Sequence, residues 1–231
     1  MIAPPDSTAS TMLVALSTTI GALNAAVELD VDRTPDDREF FAVEREALKP
    51  FFDTLFAAER EATSYSLLVV QAKQARVQLG DTILDRGVSR AKARMKVELK
   101  GSAMEEGADH VFGTDVSDII QAERAKEPGL VLQAVGKFAQ VPSFPGKAEM
   151  EADLKGRATR QQQNFVDRDA AAVKAASLTS AVKVAVAAGS DALYKLEKRL
   201  LDRFPRQTQY VKAFFYDAAP SRKKAEPPTN T

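Results

Sequence analysis

The chain contains no cysteine and no tryptophan, and only one histidine, His110, among its 231 residues. Without thiols there is no disulfide, no thiolate nucleophile and no cysteine-bound zinc or iron–sulfur centre. A lone histidine also excludes the paired-histidine helix of the zincins. No purely apolar run reaches the roughly 18 residues of a conventional spanning helix, which argues against a stable membrane span. The opening MIAPPDSTAS lacks the positive segment of a secretory signal, and Ser17, Thr18, Thr19 and Asn24 interrupt the apolar residues that follow. No cleaved leader is expected, and the cytoplasm is the expected compartment. Charge of one sign is missing as well: 32 Lys and Arg balance 32 Asp and Glu, so no global field recruits nucleic acid or an anionic surface.

What the chain has in quantity is apolar spacing of three and four residues. Only a helical period returns such positions to one face, and strand-like alternation is scarce. Leu13, Leu16, Ile20, Leu23 and Val27 make a heptad-like seam in a first helix, capped by Ser7 or Ser10 and ending near Asp30. Thr34, Pro35, Asp36 and Asp37 supply a cap, a first-turn proline and two acids for the start of a second helix. Pro50 predicts a kink or restart within it. Phe51, Leu55, Ala58, Ala62, Tyr65, Val69 and Ala72 continue the stripe, with a break expected at Gly80 and Asp81. Leu84, Val88, Ala91, Met95 and Leu99 carry the next helix, across a tolerated Gly87.

Residues 101–146 are the least regular, with six glycines and three prolines, and promise only short helices near 116–126 and 129–140. A long final helix is expected over about 148–204, interrupted at Gly156 and stopped by Pro205. Its seam is Val182, Val186, Gly189, Leu193, Leu196, Leu200 and Phe204. Tyr210, Phe214, Phe215 and Tyr216 would fold back as a cap. The predicted fold is all-α: an antiparallel bundle of three to four long amphipathic helices with short accessory helices. In domain terms the expectation is a flexible N-terminus over 1–10, one bundle domain over 11–216 with its irregular part at 101–146, and a disordered tail over 217–231.

Chemistry-bearing motifs are incomplete. His110 lies between Asp109 and Asp115, but Gly107 stands where a ferritin-like Glu-x-x-His pair needs its glutamate, so a solvated acidic loop is expected. Ser-x-x-Lys occurs at Ser89, Ser180 and Ser221, a recurrence without companion motifs that marks chance. The Gly129 to Lys137 stretch is two residues too long for a P-loop, and Phe138 replaces the magnesium-binding hydroxyl. Asp81 and Asp85 lie one turn apart beside Arg86, which reads as a solvated helix face rather than an acid–base dyad.

Charge is locally uneven. Residues 30–61 hold 10 acids and 5 bases, residues 73–100 hold 3 acids and 8 bases, and residues 101–127 hold 7 acids and 2 bases. Arg90, Lys92, Arg94 and Lys96 flank the stripe of helix 84–100, making it a basic amphipath. Pairing with the acidic segments inside the bundle is one outcome; contact with an anionic partner is the other. Few aromatics are interleaved for stacking on bases, which disfavours nucleic acid. Residues 178–193 are the most lipid-tolerant, as buried core or, after rearrangement, as in a helical pore-former. No catalytic, metal or cofactor residue is assigned. The expectation is a non-enzymatic, cytoplasmic, structural, assembly or adaptor bundle that acts through coiled-coil-like protein contacts, with self-association or a protein partner. Anion binding through Arg90, Lys92, Arg94 and Lys96, and an enzyme assembled from distant residues, are the alternatives.

Overall fold

A computed structural model describes residues 2–29 and 33–215. Among them every regular element is helical and none is a strand, so the chain is all-α. The long helices are α1 (Ala9–Leu29), α2 (Pro35–Tyr65), α3 (Gln71–Glu98) and α7 (Lys147–Arg203), with a π-helical turn, Ser66–Val70, joining α2 to α3 without a loop. Between α3 and α7 lie α4 (Gly107–Phe112), α5 (Ser117–Ile120), α6 (Glu127–Gly136) and a 3-10 turn, Lys137–Gln140; α8 (Thr208–Lys212) follows α7.

The expected caps are found with one change. Thr34 Oγ1 accepts the Asp37 amide at 3.2 Å at the start of α2. At the start of α1 it is Thr8, rather than Ser7 or Ser10, whose Oγ1 accepts the Thr11 amide at 3.2 Å. Two expected breaks are absent, since α3 runs through Gly80 and α7 through Gly156, and α2 continues through Pro50 without a restart. Helix α4 was not visible in the sequence pattern, because its six residues fall short of two turns.

The chain divides into two compact units, Met1–Thr63 with Ala176–Thr231, and Ser64–Ala175, each with its own hydrophobic core.

In the first unit, Leu16 and Leu23 of α1, Phe41, Leu48 and Leu55 of α2, and Leu193, Leu196, Leu200 and Phe204 are buried together. The seam read from residues 182–204 is therefore the inner face of α7. Arg199 grips buried Glu44 with two bonds of 2.6 Å, and Arg203 Nε donates to Asp37 at 2.9 Å. As α2 advances from Asp37 to Glu44 its partners retreat along α7, so the pair is antiparallel. The aromatic segment does fold back: Phe41 stacks on both Phe204 and Phe214, at 5.6 and 5.5 Å, and Tyr210 meets Phe204 edge-on. Tyr216 and the tail over 217–231 lie outside the described residues. Within the segment expected to be flexible, Ala3 is buried and its carbonyl accepts the Ser190 hydroxyl at 2.9 Å.

In the second unit, α3 and the first part of α7 are likewise antiparallel. Lys73 pairs with Asp167 at 2.6 Å, Gln161 Nε2 donates to the Val77 carbonyl at 2.9 Å, and Arg94 donates to the Pro145 carbonyl at 2.9 Å. Gly80 stays within α3, and the Gln161 amide occupies the space a Cβ there would need. Leu84, Val88, Ala91, Met95 and Leu99 are all buried, under a layer formed by α4, α5, α6 and the 3-10 turn. Phe112 of α4 meets Phe138 of that turn edge-on at 6.0 Å.

Candidate functional site

All residues in this subsection belong to the second unit. The basic stripe of α3 divides according to which side of the apolar seam each residue occupies. Lys92 is buried: its Nζ donates to the carbonyls of Gly113 and Thr114, at 2.6 and 2.7 Å, and pairs with Asp109 at 3.0 Å. Lys96 joins the same carboxylate at 3.2 Å. Lys92 first and Lys96 second hold the Asp109 carboxyl below the usual carboxylate range. These two lysines thus fasten the acidic segment that follows α3, where a positive side chain meets the free carbonyls at the end of α4. Arg94 serves the Pro145 carbonyl, and with Arg90 and Arg157 it borders a hollow of about 270 Å³ that also presents Glu149 and Asp153. The four residues do not form one exposed cationic surface.

His110 lies on α4, exposed, with Nε2 2.6 Å from Gln140 Oε1. It borders an open hollow of about 610 Å³ with Glu105, Glu106 and Asp109. The Gly129 to Lys137 stretch is mostly helix, running through α6, and is not a phosphate-cradling loop.

Asp81 and Asp85 are not the solvated face the sequence suggested. They turn towards Glu127, the first residue of α6, which is 1% exposed. Oδ1 of Asp81, Oδ1 of Asp85 and Oε1 of Glu127 are buried with no donor to any of the three. Arg124 reaches only the outer oxygen of Asp81, Nε to Oδ2 at 3.1 Å. Burial first, then hydrogen bonding and repulsion from Asp85 and Asp81, pushes the Glu127 carboxyl up to about 9. A carboxyl raised this far keeps its proton at neutral pH. Among the described residues no three His, Asp or Glu side chains are arranged to hold one metal ion. The sequence reading missed Glu127; its signal was an acid directly before Pro128 at a helix start, opposite two acids one turn apart.

The remaining distinctive surface is apolar. Where α3 begins, Leu67 and Leu68 of the π-helical turn are 63% and 74% exposed, and on α7 Val166 and Val173 are 60% and 72% exposed. The register fixed by Lys73 and Asp167 puts Leu67 and Val173 at the same level of the helix pair. Tyr65, Val69 and Val70, on the inward side, are only half-buried. Compared with protein families, curated proteins and solved structures, the chain matches none of them.

Proposed function

We propose that this protein is a non-catalytic helical bundle that acts through protein contacts, as a structural or assembly subunit, and that its first partner is a second copy of itself. The observation that carries this reading is the two-helix section around Ser66–Val70. From residue 64 to residue 76 no side chain is buried, although Leu67, Leu68, Val69 and Val70 are all apolar. Two helices alone cover too little of their seam to be stable in water, and a second pair completes a four-helix core. Large aliphatic side chains exposed together mark contact surfaces in soluble proteins.

Light scattering over a micromolar concentration range tests it. The mass is expected to rise above the 25.1 kDa of the monomer. The pair Leu67→Lys and Leu68→Lys is expected to weaken association about tenfold or more without loss of helicity. A constant monomer mass, or association untouched by both substitutions, counts against the proposal.

A second reading is favoured by hydropathy. Helices α1 and α7 each contain a stretch long and apolar enough to cross a membrane, and only 22% of the α7 stretch is buried. Rearrangement onto a lipid surface then replaces self-association. Dye leakage from anionic vesicles separates the two: no leakage at any pH removes the membrane reading.

A further inference from the structure

We propose that Glu127 is a proton-operated clasp: its neutral carboxyl donates to the Asp85 carboxylate and fastens α6 onto α3, and loss of that proton releases the layer above α3. The geometry leaves the three acids little else. Asp81 and Asp85 project from successive turns of α3, and Glu127 meets them from the first turn of α6, sealed from solvent. Each contributes an oxygen that no donor reaches. Acceptors cannot satisfy one another, so a shared proton is the missing donor. The positive end of α6 favours an ionised Glu127. Burial and two neighbouring carboxylates oppose it more strongly, and hold the carboxyl neutral up to about 9.

The charges on the surrounding elements already have partners. Arg124, in the turn before α6, is spent on the outer oxygen of Asp81. Asp109 of α4 is held by Lys92 and Lys96, and His110 by Gln140. Lys137 of the 3-10 turn points at the His110 carbonyl, and Asp118 of α5 lies beside Gly113. Arg124 already offsets Asp81, and none of the other groups supplies the cluster with a second cation when Glu127 ionises. A third negative charge in a buried contact is costly enough to drive local opening. Opening separates Val131, Ala134 and Val135 of α6 from the core they share with Leu84, Val88 and Ala91 of α3. Proton loss is thereby coupled to exposure of an apolar face.

The test uses the full chain labelled with carboxyl-carbon-13 glutamate. One glutamate signal is expected to titrate with a midpoint near 9 and to be missing in Glu127→Gln. Amide exchange over residues 127–136, corrected for its intrinsic pH dependence, is expected to accelerate about tenfold or more between roughly pH 7 and pH 10 in the wild type and to stay flat in Glu127→Gln. Titration of every glutamate in the ordinary range overturns the proposal, as does an identical exchange profile in the two proteins. Should Glu127→Gln fail to fold, Asp85→Asn serves: the Glu127 midpoint is expected to fall by about a unit or more, and an unmoved midpoint rejects the clasp. Added magnesium, calcium or manganese at neutral pH should leave the Glu127 signal in place; a saturable shift would make the cluster a cation site and overturn the proton reading.

Discussion

Glu44 and Arg199 show how much one paired side chain carries. Glu44 is buried and Arg199 half exposed, so removing the arginine leaves a carboxylate with neither water nor partner. Arg199→Ala is expected to cost about 1–3 kcal/mol, read from urea unfolding, because the orphaned group loses its hydration without recompense. Two other acids set opposite pH limits. Asp109, lowered by its lysines, contributes stability that is complete above its ordinary value of 3.8 and is lost as pH falls through the lowered one. Glu127 is raised, so from its ordinary 4.5 up to about 9 the folded chain keeps a proton that the unfolded chain releases, and stability declines across that window. The melting temperature is therefore expected to peak at mildly acidic pH and to fall towards pH 9, and the alkaline fall should vanish in Glu127→Gln. Sequence spacing could not separate Lys92 from Arg90. Both flank one stripe, and only the return of the chain over α3 decides which is buried.

Helix α3 illustrates what periodicity reveals and what it hides. Its seam from Leu84 to Leu99 was legible because each residue faces one core, and the same holds for α7 from Val186 to Phe204. Gly80 was misread as a terminator because glycine usually weakens a helix, whereas here its missing side chain admits Gln161. In an exposed helix Gly→Ala would gain about 1 kcal/mol. Gly80→Ala should instead lower the unfolding midpoint by displacing Gln161 from the Val77 carbonyl, and Gln161→Ala in the same chain should recover much of that loss. Additive losses in the double variant would show that the two do not compete for space. The carboxyl cluster escaped notice for a related reason: its members sit on elements far apart in sequence, joined through a region whose short helices give no sustained period.

At the scale of the molecule, α7 is the one long helix that contributes to both cores, and the stretch from residue 64 to residue 76 has no buried side chain. Backbone protection follows local packing. Hydrogen exchange in the monomer is expected to be at least about tenfold faster in that stretch than around Leu48 or Val88; uniform protection along α2 and α3 would contradict this. The two units also differ in how the chain supplies them. Ser64–Ala175 is contiguous, whereas the other unit joins Met1–Thr63 to residues beyond 176. On a ribosome, which releases a chain from its first residue, the inserted unit has its full complement of residues while α1 and α2 still wait for Phe204 and Phe214. Helices α1 and α2 thus stay incomplete until the inserted unit and the far end of α7 have been made, and their apolar faces wait uncovered in between.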